Sequence, residues 1–406
     1  ILALTFGYTL IMAETSLGRM TRKSPVGAFE SFGNSRFISI GGWINAIIPI
    51  LIVPYYSVIG GWVIKYLIEY FAGHSKTLAG DAYFTTFISN GWSTEICFII
   101  FTLFTLGIIY AGVRNGIERV SKFMMPILIV LSLIIAVYSV TRPGAIEGVK
   151  YFLVPNFDHF SWMTVVSAMG QMFYSLSIAM GILITFGSYM KKDISIEDST
   201  RNVEIFDTAI AIMAGLMIIP AVFAFSGGNA ETLKSGPALM FITIPKVFAN
   251  MGFGTAIGVV FFLLVLFAAV TSSIALTESA VSTFEDELHW SRKKSTVFMG
   301  MVMLLLGTLS CLGYGPLANF KILGMQFLDF FDFITNSVMM PIAAIATCLL
   351  VSKVVGVDKI EEEIKKDGQV FRRKKIFCFM IKYLCPLFAA IILISSVANA
   401  FGIITM

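Results

Sequence analysis

WMTVVSAMGQMFYSLSIAMGILITFGSYM, residues 162–190, decides how this chain is read. The run is long enough to cross a bilayer at about 1.5 Å per residue. Yet Gly170, Gln171, Tyr174, Ser175, Ser177 and Gly181 all fall in its middle. An unsatisfied polar group in hydrocarbon costs several kcal/mol, so polar chemistry at mid-depth implies a bundle interior or a water-filled cavity. Two local structures satisfy the residues. The helix either unwinds around Tyr174–Ser177 and offers free backbone groups to a ligand, or stays continuous with its serines bonded one turn back.

Composition around this stretch sets the class. Hydrophobic residues make up 57% of the 406 and charged residues 13%, against roughly half and a quarter in soluble domains. Mean hydropathy is +0.85. The chain is an all-α polytopic membrane protein, read as one transmembrane domain over 1–406. A net charge of +4 calls for no nucleic-acid partner. The five cysteines, Cys97, Cys311, Cys348, Cys378 and Cys385, lie in apolar segments without a CxxC pair, so they read as small core residues.

Ten spans follow, roughly 1–18, 40–68, 93–112, 120–141, 161–190, 200–227, 255–287, 295–314, 325–352 and 376–402. Alternate connections hold 21 basic residues on one side, against 7 on the other with Lys382 left over. By the positive-inside rule the first group is cytoplasmic, which places the chain as a multi-pass protein of the cell's inner (plasma) membrane. Ile1 already sits inside an apolar span and both ends fall outside, so a preceding helix is expected to be missing. Among the longer loops, 228–254 reads as a re-entrant cap because Leu239–Ile242 is too apolar to sit in water unpacked. The loop 353–375 reads as a solvated surface helix with alternating charges.

Polar residues inside the other spans are functional candidates by default. Thr271, Ser272 and Ser273 sit among small residues, where hydroxyl oxygens suit a hard cation. They equally suit a helix–helix contact with hydroxyls bonded to their own backbone. Asp207 lies two turns into its span, and either meets a cation there or pairs with Arg201 or Lys192. Glu14 is expected to pair locally. Asp329 and Asp332 begin the span 325–352 as helix-dipole acids or as an outer gate.

The chain resembles the neurotransmitter:sodium symporter family, of leucine-transporter type and bacterial character. The carrying residues are Phe267-Ala268-Ala269-Val270-Thr271-Ser272-Ser273-Ile274-Ala275-Leu276 with Phe284-Glu285-Asp286-Glu287-Leu288, Gly170-Gln171-Met172-Phe173-Tyr174-Ser175-Leu176-Ser177, and Pro54-Tyr55-Tyr56. Glu14 through Arg19 and Phe241–Pro245 add support. The resemblance implies a pair of inverted five-helix repeats, with 1–141 the remainder of the first, 161–352 the second, 376–402 an additional helix, and the first helix missing. It implies one sodium site at Ala268, Thr271 and Ser272 and another at Ser175 and Asp207. Ile52, Tyr56, Tyr174, Ser177, Met180 and Leu276 would bind substrate, and Tyr56, Tyr174 and Asp332 would form the outer gate.

The implied function is sodium-coupled amino-acid symport by alternating access, with hydrophobic or aromatic substrates because Ile52, Met180 and Leu276 are apolar. Na⁺ is the coupling ion, the bilayer the surroundings, and no enzyme chemistry or cofactor is involved. The rival readings are a transport-inactive receptor-like or scaffold protein on the same fold, and a proton-coupled carrier.

Overall fold

In the computed structural model, which describes residues 2–229, 233 and 236–402, the apolar runs fold as helices. Extended pairing among the described residues is limited to one bridge between Ile322 and Met325. The elements are α1 (Tyr8–Thr21, after a π-turn at Ala3–Gly7), α2 (Pro25–Glu30), α3 (Arg36–Phe71), α4 (Gly91–Tyr110), α5 (Val113–Val140), α6 (Trp162–Ser175) and α7 (Ile182–Tyr189). Then come α8 (Ile196–Ser226), α9 (Gly236–Ala249), α10 (Gly254–Leu288), α11 (Arg292–Leu312), α12 (Phe327–Val355), α13 (Val357–Ile364) and α14 (Lys374–Ala400). Among the described residues, eight helices are long and apolar enough to cross a membrane: α3, α4, α5, α8, α10, α11, α12 and α14. They fall on eight of the ten expected spans. Ile1 and Lys234, used above for the first span and the charge count, lie outside the described residues.

The first expected span, 1–18, runs on to Thr21 and differs in kind from a lipid-facing helix. Every residue from Tyr8 to Arg19 is buried, including Thr9, Glu14, Thr15, Ser16 and Arg19. Protein on all sides shields these polar groups from lipid, and Arg19 finds its partners there. Two glycines set its closest contact. A methyl group on Gly18 would come 2.0 Å from the Ile184 carbonyl, and one on Gly187 would come 2.6 Å from that of Thr15. Backbones of α1 and α7 therefore touch directly, as small residues permit.

The expected span 161–190 is two helices. Helix α6 ends at Ser175 and α7 starts at Ile182, so the continuous reading is overturned. Between them Ser177 (φ 53°), Ala179 (φ 57°) and Gly181 (φ 70°) take left-handed conformations, uncommon for any residue with a side chain. At Gly181 a Cβ would lie 2.7 Å from the Asn45 carbonyl of α3. That carbonyl lacks an i+4 donor because Pro49 has no N–H. Helix α3 is the hub of the bundle, packed on α10, α4 and α11.

Two connections are more ordered than loops. Helix α9 docks its apolar residues: Phe241 is buried, stacks on Phe84 with centroids 5.2 Å apart, and accepts a 2.7 Å bond from the Tyr66 hydroxyl through its carbonyl. The solvated-helix reading of 353–375 needs correction. One face of α13 carries Glu361, which pairs with Lys365 and Lys374, but Val357, Ile360, Glu363 and Ile364 are buried. Arg19 of α1 reaches across to Glu363 at 2.7 Å.

Candidate substrate and cation site

The break between α6 and α7 frees backbone groups from the helical ladder, and each buried one needs a new partner. Leu176, Ser177 and Ile178 N–H still bond back to Met172, Tyr174 and Phe173 carbonyls. The Ala179 N–H donates instead to Glu14 Oε1 at 2.8 Å. Glu14 is fully buried and its other oxygen has no protein partner. Local pairing of Glu14, expected from its neighbours Thr15 to Arg19, is thus replaced by a contact across to the break.

Around the break lies a cavity of about 180 Å³ lined by Ile52, Tyr56, Tyr174, Ser175, Ser177, Met180, Ile182, Ser272, Ala275 and Leu276. All six residues expected to bind substrate line it. The spacing explains the convergence. Ile52 and Tyr56 are four apart on α3, and Ser272, Ala275 and Leu276 are three and four apart on α10, so each set shares one helix face. Ile182 is a lining residue not singled out in the sequence, and Ala275 figures there only within the run Phe267–Leu276. Ala275 shares the face of Ser272, and that signal was available. The lining contains no charged side chain.

The expected cation ligands fall into two groups. Ser175 Oγ donates to Asp207 Oδ1 at 2.6 Å, joining α6 to α8. Arg201, the rival partner for Asp207, pairs instead with Asp198 at 3.4 Å. On α10 the Thr271 hydroxyl bonds the carbonyls of Phe267 (3.1 Å) and Ala268 (3.0 Å), the local pattern of a helical threonine. This still leaves the Thr271 oxygen lone pairs beside the Ala268 carbonyl. Ser272 faces the cavity, whereas Ser273 accepts from Thr105 at 3.2 Å and serves helix packing. The two groups present carboxylate, hydroxyl and carbonyl oxygens, the ligands hard cations take.

Toward the face opposite the basic loops, Tyr174 borders both this cavity and a second of about 310 Å³, whose lining includes Gln171, Asp332 and Asn336. Tyr174 is therefore the wall between them. Asp332 accepts bonds from Tyr55 at 3.2 Å and Asn336 at 2.5 Å. Tyr55, quoted above only as part of Pro54-Tyr55-Tyr56, is the tyrosine that reaches the acid. Tyr56 points the other way, into the lower cavity.

On the basic face the ion pairs are dense. Glu278 holds Arg292 at 2.5 Å and accepts from Tyr189 at 2.7 Å. Glu204 holds Arg373 at 2.7 Å. The Asp286 carboxylate accepts the Ser24 N–H at 2.5 Å.

The fold and the sequence are both similar to those of known proteins. The structure of MhsT in complex with L-phenylalanine superposes with a TM-score of 0.86 at 31% identity, covering 97% of this chain and 89% of that one. An uncharacterized sodium-dependent transporter of Bacillus subtilis, YhdH, is 31% identical over 402 residues, 98% of this chain and 88% of its own. One of Haemophilus influenzae is 29% identical over 410 residues, 97% and 88%. The model of the sodium:neurotransmitter symporter family matches residues 83–403. With the broken helix, the multi-pass bundle and these matches together, the chain belongs to the sodium:neurotransmitter symporter family.

Proposed function

We propose that this sodium-dependent transporter carries hydrophobic or aromatic amino acids, coupling their uptake to Na⁺ by alternating access. The observation that carries the reading is the cavity at the break. Its polar groups, Tyr56, Ser177, Ser272 and the freed backbone, suit the amino-acid zwitterion, while Ile52, Met180, Ile182, Ala275 and Leu276 suit an apolar side chain. A second substrate charge would be buried without a partner, at high cost. About 180 Å³ is below the 300–1,000 Å³ typical of drug-sized pockets, in keeping with a ligand the size of an amino acid. The L-phenylalanine bound to MhsT supports the same class. Met180 adapts to side chains of different shape.

In this reading Ser175 and Asp207 bind one sodium ion and Ala268, Thr271 and Ser272 another. Tyr56 and Tyr174 close over the substrate, and Asp332 belongs to the outer gate. The repeat boundaries are 1–141 and 161–352, with 376–402 added. Uptake of labelled phenylalanine into proteoliposomes is the test. An inward sodium gradient should drive accumulation, choline should abolish it at fixed pH, and leucine or tryptophan should compete. Uptake unchanged in choline, or lysine and glutamate outcompeting leucine, would sink the proposal.

A further inference from the structure

Helix α11 begins Arg292-Lys293-Lys294, placing three cations at the positive end of its dipole, where anions are favoured and cations are not. Arg292 is offset by Glu278 at 2.5 Å and Glu285 at 3.6 Å. Lys293 and Lys294 have no carboxylate at ion-pair distance among the described residues. They lie instead over aromatic faces: Lys294 Nζ is 3.9 Å from the Trp290 ring centroid and Lys293 Nζ is 5.7 Å from that of Tyr110. Cation–π contacts place the ammonium groups without neutralising them.

The two lysines close one end of a groove of about 600 Å³. Beyond them the groove turns apolar. Val297, Met301 and Leu305 follow at four-residue steps down α11, exposed at 58%, 56% and 68%, and Phe298 lies beside them. Tyr110 ends α4 and Trp290 lies between α10 and α11, the span-end positions that aromatic residues favour in membrane proteins. Two unneutralised cations stand at one end of a lipid-facing apolar strip. That arrangement complements a molecule with an anionic head and a hydrocarbon tail.

We propose that this groove, between the cytoplasmic ends of α4 and α11 as the Lys/Arg bias orients them, binds an anionic phospholipid of the inner leaflet. Its phosphate lies between Lys293 and Lys294, and an acyl chain runs along Val297 and Met301. A basic residue near an anionic surface contributes a factor of about five, so the pair contributes about thirty-fold.

The test uses the purified protein in detergent. A photoactivatable phosphatidylglycerol should crosslink within residues 290–301, and native mass spectrometry should show phosphatidylglycerol retained over phosphatidylcholine. Replacing both lysines by glutamine (K293Q/K294Q) should weaken phosphatidylglycerol retention about thirty-fold. The charge-keeping pair K293R/K294R, and K191Q/K192Q elsewhere on the same face, should leave it unchanged. Crosslinks confined to other segments, equal retention of the two lipids by the wild type, or full retention by K293Q/K294Q would overturn the proposal. Displacement of the lipid by millimolar glycerol 3-phosphate would overturn it too, because the site would then be one for free anions. The crosslink and the wild-type lipid preference decide the matter even if a lysine variant does not fold.

Discussion

The acids on the basic face and the acids around the break are handled in opposite ways. On the basic face Glu363, Glu278 and Glu204 are almost fully buried, and each meets a guanidinium, from Arg19, Arg292 and Arg373. Around the break Glu14 accepts from a backbone N–H and Asp207 from the Ser175 hydroxyl. Asp332 accepts from Tyr55 and Asn336. Among the described residues no cationic side chain lies at ion-pair distance of these three. The contrast separates two uses of charge. Paired ions at one face pin α1, α8, α10 and α11 to their neighbours. The acids around the break meet only neutral donors, and on the proposed reading a mobile cation joins Asp207 there.

The contrast breaks first if the paired acids prove dispensable. Arg19 also donates to the carbonyls of Ile194 and Glu363, so removing the Glu363 charge strands a buried guanidinium. Glu363→Gln should cost about 3–5 kcal/mol, read as a lower thermal midpoint and a loss of monodisperse protein in detergent. The double variant R19M/E363L should recover most of the loss, since apolar replacement of a buried pair is often neutral. If E363Q melts with the wild type, the network does not hold the face together.

How much of this was legible in the sequence depended on distance along the chain. Eight spans read correctly because their apolar runs are unbroken. The residues expected at the cavity came from the family resemblance, and the structure brings them together because residues four apart on α3 and on α10 share one helix face. What failed was long-range. Residue 14 and residue 179 are 165 positions apart, and nothing near Glu14 announces a free N–H waiting in another helix. Glu363 and Arg19 are 344 apart, so the alternating charges of α13 concealed the buried Ile360 and Ile364. Whether 162–190 is broken was undecidable from composition. Serines serve a continuous helix and a broken one equally well, and the left-handed Ser177 and Ala179 have no sequence mark of their own.

A smaller effect sharpens the other side of the comparison. Asp207→Asn keeps an oxygen beside Ser175 but removes the charge. A unit pair at about 4 Å is worth about 4 kcal/mol at an effective dielectric near 20, part of which desolvation takes back. A loss of about 1.4 kcal/mol, tenfold in sodium Kd, is expected from sodium titration of amino-acid binding. The variant's thermal midpoint should stay near the wild type's, unlike that of E363Q. An unchanged sodium dependence would remove Asp207 from the cation site.

The smallest expected effect is none at all. Replacing chloride by gluconate should leave sodium-driven uptake unchanged. A symporter that moves cations through a poorly hydrated cavity needs negative charge nearby, since an isolated buried ion costs far more than one with a counter-charge. Neutral ligand sets must borrow that charge from a bound anion. On the proposed reading Asp207 supplies it from α8 at the Ser175 end of the break. A chloride beside it would be repelled and would duplicate its role. Asp207→Asn, having lost one charge, should respond to chloride more than the wild type does. A wild type that stalls in gluconate would mean that Asp207 does not supply the counter-charge. The division between paired structural acids and unpaired functional ones would then fail at its functional end.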